Sequence, residues 1–261
     1  MKIGVFAADE RMVHLCDYLK KEAEVIMIDE NDSISELNRI AQAIDVLVFP
    51  AWGIDESGFV RMKQRGVYVL DMLSHLKKDC VIFSGQESSL FKAMKHKVIC
   101  WLKDDEVIIR NAELTAQGIL GYLLMHSLKS RKQIKIDLIG TGRCAKACAE
   151  SFDSLNLSYR MVTRRLIHHP DYIDLDSWKT SDPYDIIVNT APSCIVDQNV
   201  LDHWKNRKLV VDISTGFVFV SDSCRKHPFL NLVELKAIPA LVAPSTAAEI
   251  IGEYILKELK Q

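Results

Sequence analysis

The chain has 261 residues, with 33 Lys and Arg set against 35 Asp and Glu, a formal net charge of -2, and 48% hydrophobic and 26% charged residues. That balance is enough for an ordinary buried core and lacks the basic field of a nucleic-acid or anionic-membrane binder. No run approaches the roughly 18 apolar residues of a membrane span.

The N-terminal MKIGVFAADE does not read as a signal peptide, because acids follow only a short apolar run. It reads as a buried strand over KIGVFAA, Lys2 to Ala8, followed by a helix through ERMVHLCDYLKKEA. EVIMIDE is a second strand, and SISELNRIAQAI a second helix with Ser33 and Glu36 in capping-box spacing. DVLVFPA, GVYVLDM and CVIFSG are three further strands. All are continuously apolar rather than alternating, which predicts a parallel sheet covered on both faces. Asn111 to Ser130 carries apolar residues at helical spacing and reads as a long helix. A second α/β unit follows, with strands IKIDLIG, SYRMVT, DIIVNTA and KLVVDIS, and the chain ends in the amphipathic STAAEIIGEYILKELK. The expectation is an α/β protein of two Rossmann-like, doubly wound parallel-sheet domains. Residues 1–110 form the substrate domain, 111–130 the linking helix, 131–240 the nucleotide domain, and 241–261 a C-terminal helix returning to the first domain.

The seven cysteines are scattered, odd in number and without a CxxC. They read as reduced thiols of a cytoplasmic protein, with no zinc site or disulfide framework. Cys144 and Cys148 share one helical face and read as packing, while His168-His169 before Pro170 reads as an exposed loop start.

Gly140-x-Gly142-x-x-Ala145 follows a strand and opens a helix. That context is what a dinucleotide fingerprint requires: a tight turn, a close backbone approach to a pyrophosphate, and a small residue for helix–strand packing. The helix N-terminus supplies N–H groups and partial positive charge for phosphate. The candidate cradle is Gly140, Thr141, Gly142, Arg143 and Cys144; a turn using glycine for geometry alone is the plainer alternative. NAD enzymes place an acid about 20 residues beyond these glycines. Here the window SYRMVTRRLIHH holds none, and Thr163, Arg164 and Arg165 end the strand. An arginine fork with a neighbouring hydroxyl suits a ribose 2′-phosphate, so NADP is expected over NAD; a solvated arginine pair is the alternative. Thr190, Ala191 and Pro192, in VNTAPS, and Ser214, in DISTGF, sit at carboxyl ends of later strands, where a ligand crosses an open parallel sheet.

The domain order is similar to that of the 2-hydroxyacid dehydrogenases, whose Arg, Glu and His catalytic set has no counterpart here. A closer likeness comes from VIFSG, NAELTAQG, IGTGRCAKACAESFDSL, DIIVNTAPSCIVDQNVL, LVVDIS and LVAPSTAAEII in one order. Together they resemble the family of dipicolinate synthase A subunits from spore-forming bacteria, over nearly the whole chain. The resemblance implies NADP-linked oxidation of a dihydro or hydroxy-tetrahydro precursor from the lysine pathway to dipicolinate, in the mother cell during sporulation. It also implies the flavoprotein-like B subunit of dipicolinate synthase as partner, with homo-oligomerisation left open. Gly140, Gly142 and Arg143 match the family's glycine turn, Arg164 its arginine after the second strand, and Thr190, Ala191 and Pro192 its strand-end loop. No general base is assigned, since aromaticity of the product favours the oxidation. The substrate's carboxylates are expected on the backbone of Ser84 and Gly85 and on Thr115 at the positive end of the long helix, with Ala51 and Trp52 of FPAWG facing the same site; helix capping is the alternative for Ser84 and Thr115.

The chain departs from the family where the substrate should pass. A segment of SxPGG type is STGFVFVSDS here, and a late loop like GLPGIVAP is AIPALVAP, Ala237 to Pro244. Leu114 and Gln117 replace Pro and Glu in NAELTAQG, and the first domain is shorter. A 2-hydroxyacid-type dehydrogenase or imine reductase for another small carboxylate, and a non-catalytic NADP-binding module, fit the same residues.

Overall fold

The computed structural model describes residues 1–165 and 169–260, so His168 lies outside the described residues. In chain order the elements are β1 (Lys2–Phe6), α1 (Glu10–Leu19), β2 (Glu24–Ile28), α2 (Ile34–Ala43), β3 (Val46–Val48), β4 (Phe59–Arg61), β5 (Gly66–Tyr68), α3 (Leu70–Ser74), β6 (Val81–Ser84), α4 (Ser89–Ala93) and β7 (Val98–Cys100). Then follow α5 (Asp105–His126), β8 (Lys135–Ile139), α6 (Arg143–Ser154), β9 (Ser158–Thr163), β10 (Tyr172–Asp174), α7 (Leu175–Lys179) and β11 (Ile186–Asn189). The last elements are α8 (Gln198–Leu201), β12 (Lys208–Asp212), β13 (Leu230–Glu234), α9 (Ile238–Val242) and α10 (Pro244–Leu259). The chain divides into two compact units, Met1–Asn111 with Pro239–Gln261, and Ala112–Ile238.

The first unit holds a parallel sheet in the order β2-β1-β3-β6-β7. Phe6, Leu47, Phe49 and Ile82 are fully buried in its core. The Ser33 capping box forms as the spacing predicts, with Ser33 and Glu36 each satisfying the other's amide. The C-terminal α10 packs along α1, where Gly252 meets the ring of Tyr18. One expected strand is only partly formed. Within GVYVLDM, Gly66–Tyr68 pairs antiparallel with β4 in a separate two-stranded ribbon, and Leu70–Ser74 is helical. Val60 and Val67 point into the core while Phe59 and Tyr68 stack outside, a period-two burial that the apolar run hid.

The second unit holds a parallel sheet in the order β10-β9-β8-β11-β12-β13. Counted from β8, this is the 3-2-1-4-5-6 order of dinucleotide-binding sheets, whose strand order reverses between β8 and β11. One face packs Ala116, Ile119 and Leu123 of α5 with Phe152 of α6; the other packs Trp178, Val200, Trp204 and Phe219. The edge strands β10 and β13 escape an apolar-run reading because one is three residues long and the other alternates. The long helix starts six residues before the expected Asn111. Asp104 caps it: its carboxylate accepts the Val107 N–H at 3.0 Å and its carbonyl that of Ile108, and Asp105 and Glu106 occupy the acidic first turn.

One buried carboxylate ties this unit together. Asp137 in β8 is fully buried and accepts Arg160 Nε of β9 at 2.5 Å, Trp178 Nε1 of α7 at 2.8 Å and the Tyr184 N–H ahead of β11 at 2.9 Å. The Arg160 guanidinium also lies 4.2 Å from the centre of the Tyr184 ring. Removing the acceptor leaves a half-buried cation and two N–H groups unpaired. Asp137→Ala is therefore expected to destabilise the unit by about 3–5 kcal/mol. Asp137→Asn, whose carbonyl still accepts, should lose clearly less. Urea titration followed through tryptophan fluorescence measures both.

Candidate nucleotide-binding site

The carboxyl end of β8 turns through Gly140 into α6. Gly140 has φ +113°, and a Cβ placed on it would lie 2.4 Å from Thr190 Oγ1. Only glycine fits that backbone and that approach. Its N–H bonds Val162 O, and Thr190 answers from β11's end by donating both its N–H and its hydroxyl to Ile139 O, at 3.0 and 2.8 Å. Gly142 is different. It is the N-cap of α6 with an ordinary φ of −76°, and a Cβ there would meet nothing within 4 Å. Gly142 supplies no side-chain cap, and a Cβ there meets open space, so the helix's first turn is approached past a bare backbone. Ala145 is buried against the sheet, as the third fingerprint position requires. The cradle thus fits an anion held by backbone N–H groups.

Beside it lies a groove of about 290 Å³ at the ends of β8, β9 and β11. It brings together Gly140, Thr141, Thr163, Arg164, Arg165, Ala191 and Pro192. Thr163 is buried, and its hydroxyl accepts the Arg165 N–H at 3.1 Å, which fixes the start of the basic turn. Arg164 donates from Nη2 to Ser193 Oγ at 3.2 Å. Neither arginine has a carboxylate partner among the described residues, and no acid stands at the end of β9. Two expected residues contribute differently from a side-chain reading. The Cys144 thiol packs against the core, where burial raises its pKa, so only its amide faces the turn. Ser214 is buried beyond β12, and its hydroxyl has no hydrogen-bond partner among the described residues.

Two buried polar side chains close the strand ends and were not singled out in the sequence. Asn189 Nδ2 donates to Asp212 Oδ1 at 2.8 Å and to Ala191 O at 3.0 Å, and Asn189 Oδ1 accepts the Ala191 N–H at 3.1 Å. Asp212 Oδ1 also accepts the Ser214 N–H at 2.9 Å. The available signal was a single polar residue closing each apolar run, in IIVN and LVVD. This pair shapes the loop of Thr190, Ala191 and Pro192.

The residues expected to grip substrate in the first unit are occupied. The Gly85 N–H bonds Pro50 O at 3.3 Å, and a Cβ on Gly85 would lie 2.2 Å from Ala51 O. Ser84 is buried and donates its hydroxyl to Gln86 O at 2.7 Å. Trp52 donates Nε1 to Arg61 O at 3.0 Å and packs against the core. Gly85 thus packs against Ala51 at the ends of β3 and β6, and its amide, expected to bind a carboxylate, is engaged. Thr115 lies in the middle of α5, because the Asp104 cap moves the helix's positive end ten residues upstream; it is buried and does not sit at a helix N-terminus.

The two loops that depart from the family carry side chains on glycine-like backbone. Phe217 in STGFVFVSDS has φ +50°, and Ala237, where the late loop would begin with glycine, has φ +49°. Both lie in the left-handed region that residues with a Cβ rarely adopt.

No family model matches the chain. The A subunit of dipicolinate synthase from Bacillus subtilis (strain 168) is 23% identical over 289 aligned residues, covering 100% of this chain and 96% of that protein. The crystal structure of the corresponding A subunit from Bacillus halodurans superposes with a TM-score of 0.82 at 18% identity, covering 100% of this chain and 98% of that one. An NAD-complexed D-isomer specific 2-hydroxyacid dehydrogenase from Lactobacillus delbrueckii ssp. bulgaricus shares the fold at TM-score 0.61 and 13% identity, covering 100% and 98%. The chain thus resembles the dipicolinate synthase A subunit along its whole length, at a divergence that accords with the altered loops, and has the two-domain fold of the 2-hydroxyacid dehydrogenases.

The contrast between the two glycines is testable. Gly140→Ser must strain the backbone and strike Thr190, and is expected to lower the melting temperature. Gly142→Ser supplies a good N-cap and should keep or raise it. The same serine competes for the first-turn amides, so nucleotide affinity should fall about tenfold, the worth of roughly one charge-assisted hydrogen bond. Thermal melts and NADPH fluorescence titration read the two effects, and unchanged affinity in Gly142→Ser refutes the cradle.

Proposed function

We propose that the chain is an NADP-dependent oxidoreductase of the kind formed by the dipicolinate synthase A subunit. It oxidises dihydrodipicolinate, or its hydroxy-tetrahydro precursor, to dipicolinate in the mother-cell cytoplasm, together with a flavoprotein-like B subunit. The observation that carries the cofactor is the basic end of β9, where Arg164 is braced by Ser193 beside a helix whose N-cap is glycine, and where the neighbouring Asp174 of β10 is taken up in capping α7. The substrate reading rests on the full-length likeness to the A subunit of dipicolinate synthase.

In this reading the amides of Arg143, Cys144 and Ala145 hold the pyrophosphate, with Gly140 and Gly142 admitting it. Arg164 and Arg165 hold the ribose 2′-phosphate and Thr163 fixes their turn. Thr190, Ala191 and Pro192, shaped by the buried Asn189–Asp212 pair, border the nicotinamide half, with Ser214 beyond them. The nicotinamide, when bound, supplies a hydride acceptor. The chain's own task is then to orient a ring beside it and to fix the ring's carboxylates. The side chains on the two glycine-like loops favour a second reading, in which the same cofactor serves oxidation or reduction of another small carboxylate.

Titration of the purified chain should show NADP(H) bound more tightly than NAD(H). Arg164→Ala with Arg165→Ala should cost NADP(H) at least about tenfold in affinity and leave NAD(H) nearly unchanged. For the reaction, NADPH absorbance is followed with the lysine-pathway precursor, for the chain alone and with a B-type partner. Absence of turnover in both, with NADP binding intact, sinks the dipicolinate assignment; strong turnover of a 2-keto acid selects the second reading.

A further inference from the structure

A second cavity in the nucleotide unit, of about 640 Å³, opens where β12 and β13 end. Its walls join the two loops that depart from the family. Phe217 and Val218 come from one, and Lys236 stands immediately before the left-handed Ala237 of the other. Lys236 Nζ lies 4.8 Å from the centre of the Phe217 ring. The loop is pinned from behind: Arg225 Nη1 donates to Phe217 O at 3.1 Å, while Arg225 Nη2 pairs with Glu234. The Arg225–Glu234 pair is thus spent within the wall. Lys236 has no carboxylate partner among the described residues. An exposed ammonium over an aromatic ring, with an exposed valine beside it, forms an amphipathic surface for a flat anion. Asp222, also on the wall, repels a carboxylate and so orients one toward Lys236.

We propose that this cavity binds a planar, carboxylate-bearing ring, with a carboxylate on Lys236 and the ring against Phe217 and Val218. The inference draws on the functional reading for the choice of ring, but the site stands on these residues alone. It also explains a difficulty raised by the first unit, where the Gly85 amide expected to take a carboxylate is already bonded.

A thiol on the wall reports on occupancy, and because it also borders the pocket of Arg164 and Lys179, the Lys236 variant assigns the protection to this cavity. Cys194 lines it and is exposed, whereas Cys16, Cys80, Cys148 and Cys224 are buried. Burial pushes the thiols of Cys16 and Cys80 up to about 11 and that of Cys148 up to about 12, and raises Cys100 and Cys144 as well, so these react slowly as thiolates. The experiment alkylates the full chain with iodoacetamide and follows Cys194 by peptide mass spectrometry, with and without pyridine-2,6-dicarboxylate. Benzoate and glutarate serve as a ring with one carboxylate and a dicarboxylate without a ring. The proposal expects protection by pyridine-2,6-dicarboxylate, weaker protection by benzoate and none by glutarate. Lys236→Gln should raise the half-protecting concentration about tenfold or more, and Phe217→Leu should raise it less. NADPH affinity, measured in the same preparations, should be unchanged in both variants, since neither residue lines the cradle or the groove beside it. Absent protection by the ring carboxylates, equal protection by glutarate, or undiminished protection in Lys236→Gln overturns the proposal. Failure of NADPH binding in the wild-type chain overturns the cofactor reading instead, so the two failures are told apart.

Discussion

The second unit depends on a carboxylate that never meets solvent. Asp137 sits on the central strand β8 and gathers β9, α7 and the entry to β11 through three separate donors. A charge so buried is tolerated only when its lone pairs are taken, and here the guanidinium, the indole and a backbone amide take them. The consequence lies at the other end of the strands. With β8, β9 and β11 fixed in register at Asp137, their carboxyl ends arrive together as the Gly140 turn, the Thr163–Arg165 basic turn and the Thr190–Pro192 loop. The groove therefore rests on a polar anchor beneath it as well as on the residues that line it.

The two halves of the proposed chemistry are made of different material. The cradle is backbone: uncapped amides, a glycine whose φ no other residue adopts easily, and a second glycine kept open to solvent. Nearly any side-chain change at Gly140 is resisted by geometry. The cavity at the ends of β12 and β13 is side chain: Lys236, Phe217 and Val218, with Phe217 itself on left-handed backbone and Lys236 next to the left-handed Ala237. Such a surface changes character by substitution without moving the chain, provided the strained φ is held. Arg225 supplies that hold by bonding Phe217 O and Glu234 together.

The same distinction explains what the sequence made legible. Gly140, Gly142 and Ala145 could be read because their requirement is local: strand, turn and helix lie within one short stretch. That Arg164 and Arg165 follow the end of β9 beside the groove could be read because strand and turn lie within the same short stretch. The continuous apolar runs predicted parallel sheets for a similar reason, since burial on both faces leaves no alternation to find. Where the reading failed, the deciding partner lay outside the window. Asp104 set the start of α5, so Thr115 lost the helix terminus that its expected role required. Pro50 took the amide of Gly85, which no spacing rule announces. GVYVLDM joined a ribbon because Phe59–Arg61 was there to pair with it.

Asn189 and Asp212 show the intermediate case. Each closes an apolar strand with one polar side chain, which alone reads as a strand end meeting solvent. Adjacent strands in parallel register place them together, at Asn189 opposite Asp212, and both become buried. An isolated carboxylate there would be costly, yet an amide that donates to it and also bonds the Ala191 amide and carbonyl makes the pair a brace for the loop. Their meaning follows from the strand order, β8 next to β11 and β11 next to β12, rather than from either residue's neighbours in sequence. Once that order is known, the polar residues that end β11 and β12 mark the same side of the sheet as the Gly140 turn.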